Sequence, residues 1–274
     1  MPPSVGLCAN IALARISGYI VREYYGIAPH DATAAGSESS IDTALRMLHG
    51  WHSRLPDILK IPDDQSMLDS ACCTLHMSYN QLIILTTRPI FFATIKKAVA
   101  QRLFHEPESS SSHMHRRYTA LCTEAAERNL ELARLLQSTN RNWLQSGLHF
   151  LFNATLVLLL NRLSSIRKGD IEGPHAAEIS FAVHVFEQEA QTGTNYPRDC
   201  CKVLQDLKAL TDYFVLAQRM VVRDLNGLTA QPAKAFVERP TWPSPESQED
   251  SHAYQEVKSW VQPDGLKLRD TLLI

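Results

Sequence analysis

The sequence predicts an all-α protein, an irregular multi-helix bundle of about eight helices with a flexible C-terminal tail. Apolar residues recur at alternating spacings of three and four along most of the chain, which is the period of an amphipathic helix. No run of apolar–polar alternation suits a half-buried strand, and no internal repeat divides the chain. Proline and glycine fall at the edges of the periodic segments, where they open or close helices.

In chain order, residues 5–25 form the first helix, with Cys8, Ile11, Ala12, Ile16, Tyr19 and Ile20 as its apolar positions and Gly26 placed to stop it. An Ala/Gly/Ser-rich loop covers 27–38. Ser40 then caps a second helix that reaches Leu55, with Ile41, Leu45, Leu48 and His52 along one side, and Pro56 ends it. Asp63 or Asp64 caps a third helix. Residues 105–115 (HEPESSSSHMH) are an exposed loop before a long helix over 116–137. There Glu124 and Arg128 stand as an i,i+4 pair on the outer side. Residues 143–164 are apolar on nearly all faces, which predicts a central buried helix. Two further helices cover 174–191 and 197–226, each with proline in its first turn; the last carries Val203, Leu207, Leu210, Phe214, Ala217 and Val221 as its stripe. The domain division is 1–228 for the helical body and 229–274 for a Pro/polar tail with a short amphipathic segment over 254–261.

The chain has 274 residues, 45% hydrophobic and 20% charged, an ordinary globular composition. A net charge of −2 gives no global basic field for nucleic acid or anionic membrane. Six cysteines include two adjacent pairs, Cys72–Cys73 and Cys200–Cys201, and no C-x-x-C. That spacing suits neither a secreted disulfide framework nor a zinc site, so free thiols of a reducing compartment are expected. The N-terminus lacks a positive leading region, and the apolar run 148–160 is shorter than the roughly 20 residues a bilayer requires. No membrane association is expected.

The search for chemistry finds no nucleophile elbow, phosphate-binding glycine loop or zinc-protease helix. His49 and His52 have an i,i+3 spacing that can bind metal, but they lack acidic or thiol company. His113, His115, Arg116 and Arg117 are the one concentrated basic patch. Asp63–Asp64 and Glu187/Glu189 are explained by capping or solvation. No catalytic residue and no metal ligand is assigned, and the chain is expected not to be an enzyme.

The densest segment is CCTLHMSYNQLIILTTRPIFF, residues 72–92. Leu68, Cys72, Leu75, Tyr79, Leu82 and Thr86 form one stripe of a core helix, and residues 82–85 are aliphatic all round. Pro89 disfavours helix at the residue before it and suits the start of a new one, so the expectation is a corner at Thr87-Arg88-Pro89 between two helices. Arg88 would then sit at a helix C-terminus. Pro89→Ala would loosen that corner, and Leu82→Asp would unfold the core.

From Leu75 through His76, Tyr79 and Gln81 to Arg88 and Pro89, L-H-M-x-Y-x-Q-L-I-I-L-x-x-R-P resembles the central motif of the fungal-specific transcription factor domain. This is the middle homology region of fungal zinc-cluster transcription factors. Leu13-Ala14-Arg15-Ile16-Ser17-Gly18-Tyr19-Ile20 with Tyr24-Tyr25, and Trp51 with Leu55-Pro56 and Leu59, are similar to the family's preceding helix and its W-x₃-L-P-x₂-L step. Residues 122–126, Trp143 and the run 150–160 continue the similarity downstream. The chain is thus similar to the C-terminal half of such a domain, and these six signature residues carry a structural role. The resemblance implies a regulator of DNA-templated transcription in the nucleus, whose partners are co-regulators or a small effector, with homodimerisation open. Zinc and DNA contact belong, in that family, to a six-cysteine module whose spacing does not occur in this chain, so no cofactor is expected on these residues. A free-standing helical protein that binds a ligand or partner is the alternative.

Overall fold

A computed structural model describes residues 3–25, 34–62, 69–103, 113–138, 143, 145–164 and 175–227, with side chains over slightly narrower spans. Its helices are α1 (Pro3–Tyr25), α2 (Ala34–Ser53), α3 (Ser70–Leu103), α4 (His113–Ser138), α5 (Gln145–Ser164), α6 (Ala176–Ala190) and α7 (Asn195–Gly227), with a 3₁₀ turn at Asp57–Leu59. The described residues contain no strand, and the fold is all-α.

Helices α3, α4 and α5 pack on one another as a central trio. Helices α1 and α2 pack on each other and on α3, while α6 and α7 pack on each other and on α5. One continuous core runs through these layers, from Ile20 and Leu48 through Met77 and Ile84 to Leu158 and Phe186. Helix α5 owes its central place to its apolar circumference, since such a helix loses least by being covered on every side. It is also 20 residues long and apolar enough to cross a membrane, beyond the 13-residue run visible in the sequence, and 61% of it is buried in the protein. Helix α1 passes the same length and composition test with only 28% buried.

The main departure from expectation lies at Pro89. No corner forms there: α3 is a single helix of 34 residues with Pro89 inside it. Two helices expected to meet at an angle are fused, which leaves seven α-helices among the described residues. Arg88 is accordingly in mid-helix, not at a C-terminus. The physical reason lies in the partners α3 recruits, described below.

Smaller corrections follow the same logic of tertiary contacts. Helix α2 starts at Ala34, so Ser40 is inside it and not its cap, and it ends at Ser53, short of Leu55. Asp63 and Asp64 lie outside the described residues; the first turn of α3 is instead served by Asp69, whose Oδ1 accepts from the Ala71 N–H at 2.9 Å. Helix α4 begins at His113, so part of the expected loop is helical. Among the described side chains of α7 the buried positions are Pro197, Cys200, Cys201, Leu204 and Thr211, whereas Val203 is exposed. The tail over 229–274 lies outside the described residues.

Candidate functional site

The segments that stand out in the sequence meet around α3. Its first turns dock the 3₁₀ turn: His76 Nε2 donates to the Leu59 carbonyl at 2.8 Å, and the Cys72 thiol donates to the same oxygen at 3.1 Å. Leu59 is buried between them, so Trp51, Leu55, Pro56 and Leu59 act as a strap fixed to α3. Trp51 stacks on Tyr79 with ring centres 5.5 Å apart, and His52 stacks on the same ring at 4.9 Å. The indole N–H of Trp51 reaches back to the Ala9 carbonyl of α1 at 3.1 Å. Burial lowers the His76 pKa despite its carbonyl contact, and lowers that of His52, which lies beside His76. Both rings are held toward the neutral form.

The second junction surrounds Pro89. Proline has no N–H, so the Leu85 carbonyl one turn earlier loses its ordinary helical donor. The Tyr25 hydroxyl, at the end of α1, donates to that carbonyl at 2.8 Å. A tertiary hydrogen bond thus replaces a missing helical one, which removes the main electrostatic penalty of proline in a helix interior. Upstream, Thr86 and Thr87 bond back to the carbonyls of Leu82 and Ile83 at 2.7 and 2.8 Å, giving these buried hydroxyls partners without breaking the helix. Phe91 and Ile95, both fully buried, continue the core beyond the proline and favour extension over a turn.

Arg88 projects between aromatic rings. Its guanidinium lies 5.6 Å from the Tyr25 ring centre and 5.9 Å from that of Phe92. This is a cation–π environment, and the Arg88–Tyr25 contact adds a hydrogen bond to the phenol oxygen. Thr87 also contacts Cys122 of α4, whose thiol is pushed up to about 12 by burial.

A third polar group joins α5 to α7. His149 Nδ1 lies 3.3 Å from the Tyr196 hydroxyl, and Asn153 Nδ2 lies 3.0 Å from His149 Nε2. With Asn153 donating to Nε2, the proton sits on Nδ1 and points to Tyr196. Tyr196 in turn is hydrogen-bonded to Cys200. Burial, reinforced by the charge of Arg88, lowers the His149 pKa. Burial also raises the Tyr196 phenol and the Cys200 thiol. Sequence reading did not single out this line, because its two halves are 47 residues apart; the i,i+4 spacings of His149 and Asn153 and of Tyr196 and Cys200 were the local signals.

The structure therefore brings four of the six signature positions, His76, Tyr79, Arg88 and Pro89, into two junctions along α3, and Leu75 is buried in the core. Gln81 stands apart: it is 4% exposed, and neither end of its amide has a hydrogen-bond partner among the described residues. Asn129 on α4, fully buried, is in the same condition. The basic patch at the start of α4 is partly engaged by acid, since Asp42 takes Arg117 at 3.4 Å and the Tyr118 hydroxyl at 3.1 Å. His49 and His52 gather no third metal-ligating side chain, and no group of three such residues forms among the described residues. The chain matches no protein-family model, and no curated protein or solved structure matches it.

Proposed function

We propose that this chain is the helical regulatory domain of a fungal-type transcription regulator, acting in the nucleus through co-regulators or a small effector. DNA contact and zinc would be supplied by a separate module that this sequence does not contain. The observation that carries this reading is the ordered set of motifs shared with that family, from the Leu13 helix through Trp51–Leu59 to Leu75–Pro89. Their mutual contacts support it: the Trp51 strap, the Tyr25 hydroxyl and the α3 signature form one interlocked unit. A set of residues that fit one another across three helices is a sensible thing for a family to share.

The chemistry of the buried groups favours a scaffold over an enzyme. Catalysis at neutral pH needs a thiol or hydroxyl driven toward its anion, or a base poised near 7. Here burial drives Cys72, Cys73, Cys122 and Cys200 upward and His76 and His149 downward, so each is held in its neutral form. A free-standing ligand- or partner-binding protein is the second reading, since it needs only the helical body that α1 to α7 form.

The test is transcriptional. The full chain is fused to a heterologous DNA-binding module and reporter output is compared with that of the module alone in a fungal cell. The expected result is a severalfold change in output that disappears with Leu82→Asp. Output equal to that of the bare module, from a fusion shown to be folded and nuclear, would overturn the regulatory reading and leave the free-standing binder.

A further inference from the structure

Helix α1 is apolar on two opposite sides. One side, with Leu13, Ile16 and Ile20, is buried against its neighbours. The other carries Leu7, Ile11, Ala14, Gly18 and Val21 at spacings of four, three, four and three, the repeat of a helix-packing seam. Leu7 is 61%, Ile11 46% and Val21 49% exposed. Around Gly18 the space is open, with nothing within 4 Å of where a side chain would begin, so the seam has a depression at its centre. Arg15 and Arg22 border it on one side. Arg22 is paired with Glu23 at 3.2 Å, whereas Arg15 has no acidic partner among the described residues.

We propose that this seam docks the chain's own C-terminal segment, residues 245–261. Three properties of that segment match the face. Read as a helix, Tyr254, Val257 and Val261 fall at i, i+3 and i+7, with Trp260 beside them, which is an apolar face of the right period. Its large rings complement a seam whose centre, Ala14 and Gly18, is small. It carries Glu246, Glu249, Asp250 and Glu256 against the single Lys258, an acidic balance opposite the unpaired Arg15.

The tether also reaches. Residues 228–244 connect α7 to the segment. Fully extended, a linker of that length spans at most about 60 Å. A body of this size has a radius of gyration of about 17 Å. A linker of that reach can carry the segment across the body to the seam, where it would compete with any outside helix. This inference rests on the α1 face and the tail sequence, and it stands independently of the transcriptional reading.

Cys8 makes the test direct, because it lies beside the seam and is exposed while the other five cysteines are buried. A nitroxide is attached to Cys8 of the full chain, and the four tryptophan indole N–H signals are recorded, that of Trp260 being assigned with Trp260→Phe. The expected result is a severalfold loss of the Trp260 signal, reversed by Val21→Asp on the far part of the seam. Because Val21 is exposed, this substitution leaves the fold intact, which an unchanged circular dichroism spectrum and urea midpoint check. An undiminished Trp260 signal overturns the proposal and leaves the seam to an occupant outside the chain. Loss of signal in an isotope-labelled chain mixed with a separate nitroxide-bearing chain assigns the contact to a second copy, and overturns it equally.

Discussion

Tyr25→Phe isolates one atom on which the continuity of α3 depends. The ring stays, so the contact with the Arg88 guanidinium is kept in large part, but the hydroxyl that serves the Leu85 carbonyl is lost. Pro89 offers that carbonyl no N–H. A part-buried acceptor left without a donor costs about 1–3 kcal/mol. The loss of the Arg88 contact to the phenol oxygen adds to this, so we expect about 2 kcal/mol in total. The partner substitution is Pro89→Ala, which restores the backbone N–H and relieves a proline cost of up to about 3 kcal/mol in a helix interior. It should therefore stabilise the protein, opposite to what a corner at this position would give. The two changes should be strongly coupled. With alanine at 89, Leu85 is satisfied within the helix, and Tyr25→Phe should then cost only about 0.5–1 kcal/mol. Urea unfolding followed by circular dichroism measures each arm, with midpoints shifting at constant slope. Equal costs of Tyr25→Phe in the proline and alanine backgrounds would refute the compensation argument.

Leu82→Asp places a carboxylate at a buried position of α3 with no cation provided, and the loss of about 4 kcal/mol or more is comparable with the stability of a domain. The variant should show no cooperative melt; a soluble, cooperatively melting form would remove α3 from the core. Acid should weaken the protein in a defined direction. His76 and His149 have folded pKa values below their ordinary value of about 6.5, so in this range the unfolded chain binds more protons. Their contribution is complete above pH 6.5 and declines as pH falls through that value toward the lower folded pKa values; His149→Gln should flatten the decline measured by urea midpoints from pH 7.5 to 5. Thiol titration should find that no cysteine other than Cys8 reacts quickly in the native state, and that all six react after denaturation. Fast native labelling of Cys122, which is buried with its pKa at about 12, would contradict the packing of α4 on α3.

Much of this fold is legible in one dimension because helices are local. The i,i+3,i+4 pattern identified α1, α4 and α5, and the all-round apolarity of α5 foretold its central place. The Glu124–Arg128 pair, found at 3.4 Å, depends only on residues one turn apart. Position within the fold is less local. On α7, Leu207 and Phe214 of the expected stripe pack against the core, yet Val203 is exposed and Leu204 and Thr211 are buried, because the partners on α5 and α6 decide how far round the helix the covered face is turned.

The same division explains the opening segment 72–92. Its sequence by itself determined a buried helix, since its apolar period admits little else. It also marked His76, Tyr79 and Arg88 as polar groups in need of partners. What it could not determine is where the helix ends, because proline's local preference is a modest free energy that a distant group can cancel. Only the tertiary structure decided that Tyr25, 60 residues before Leu85, supplies the missing donor and lets α3 run through Pro89. The partners of His76, His149 and Cys122 were settled in the same way, by hydrogen bonds between groups far apart in sequence that burial then holds neutral.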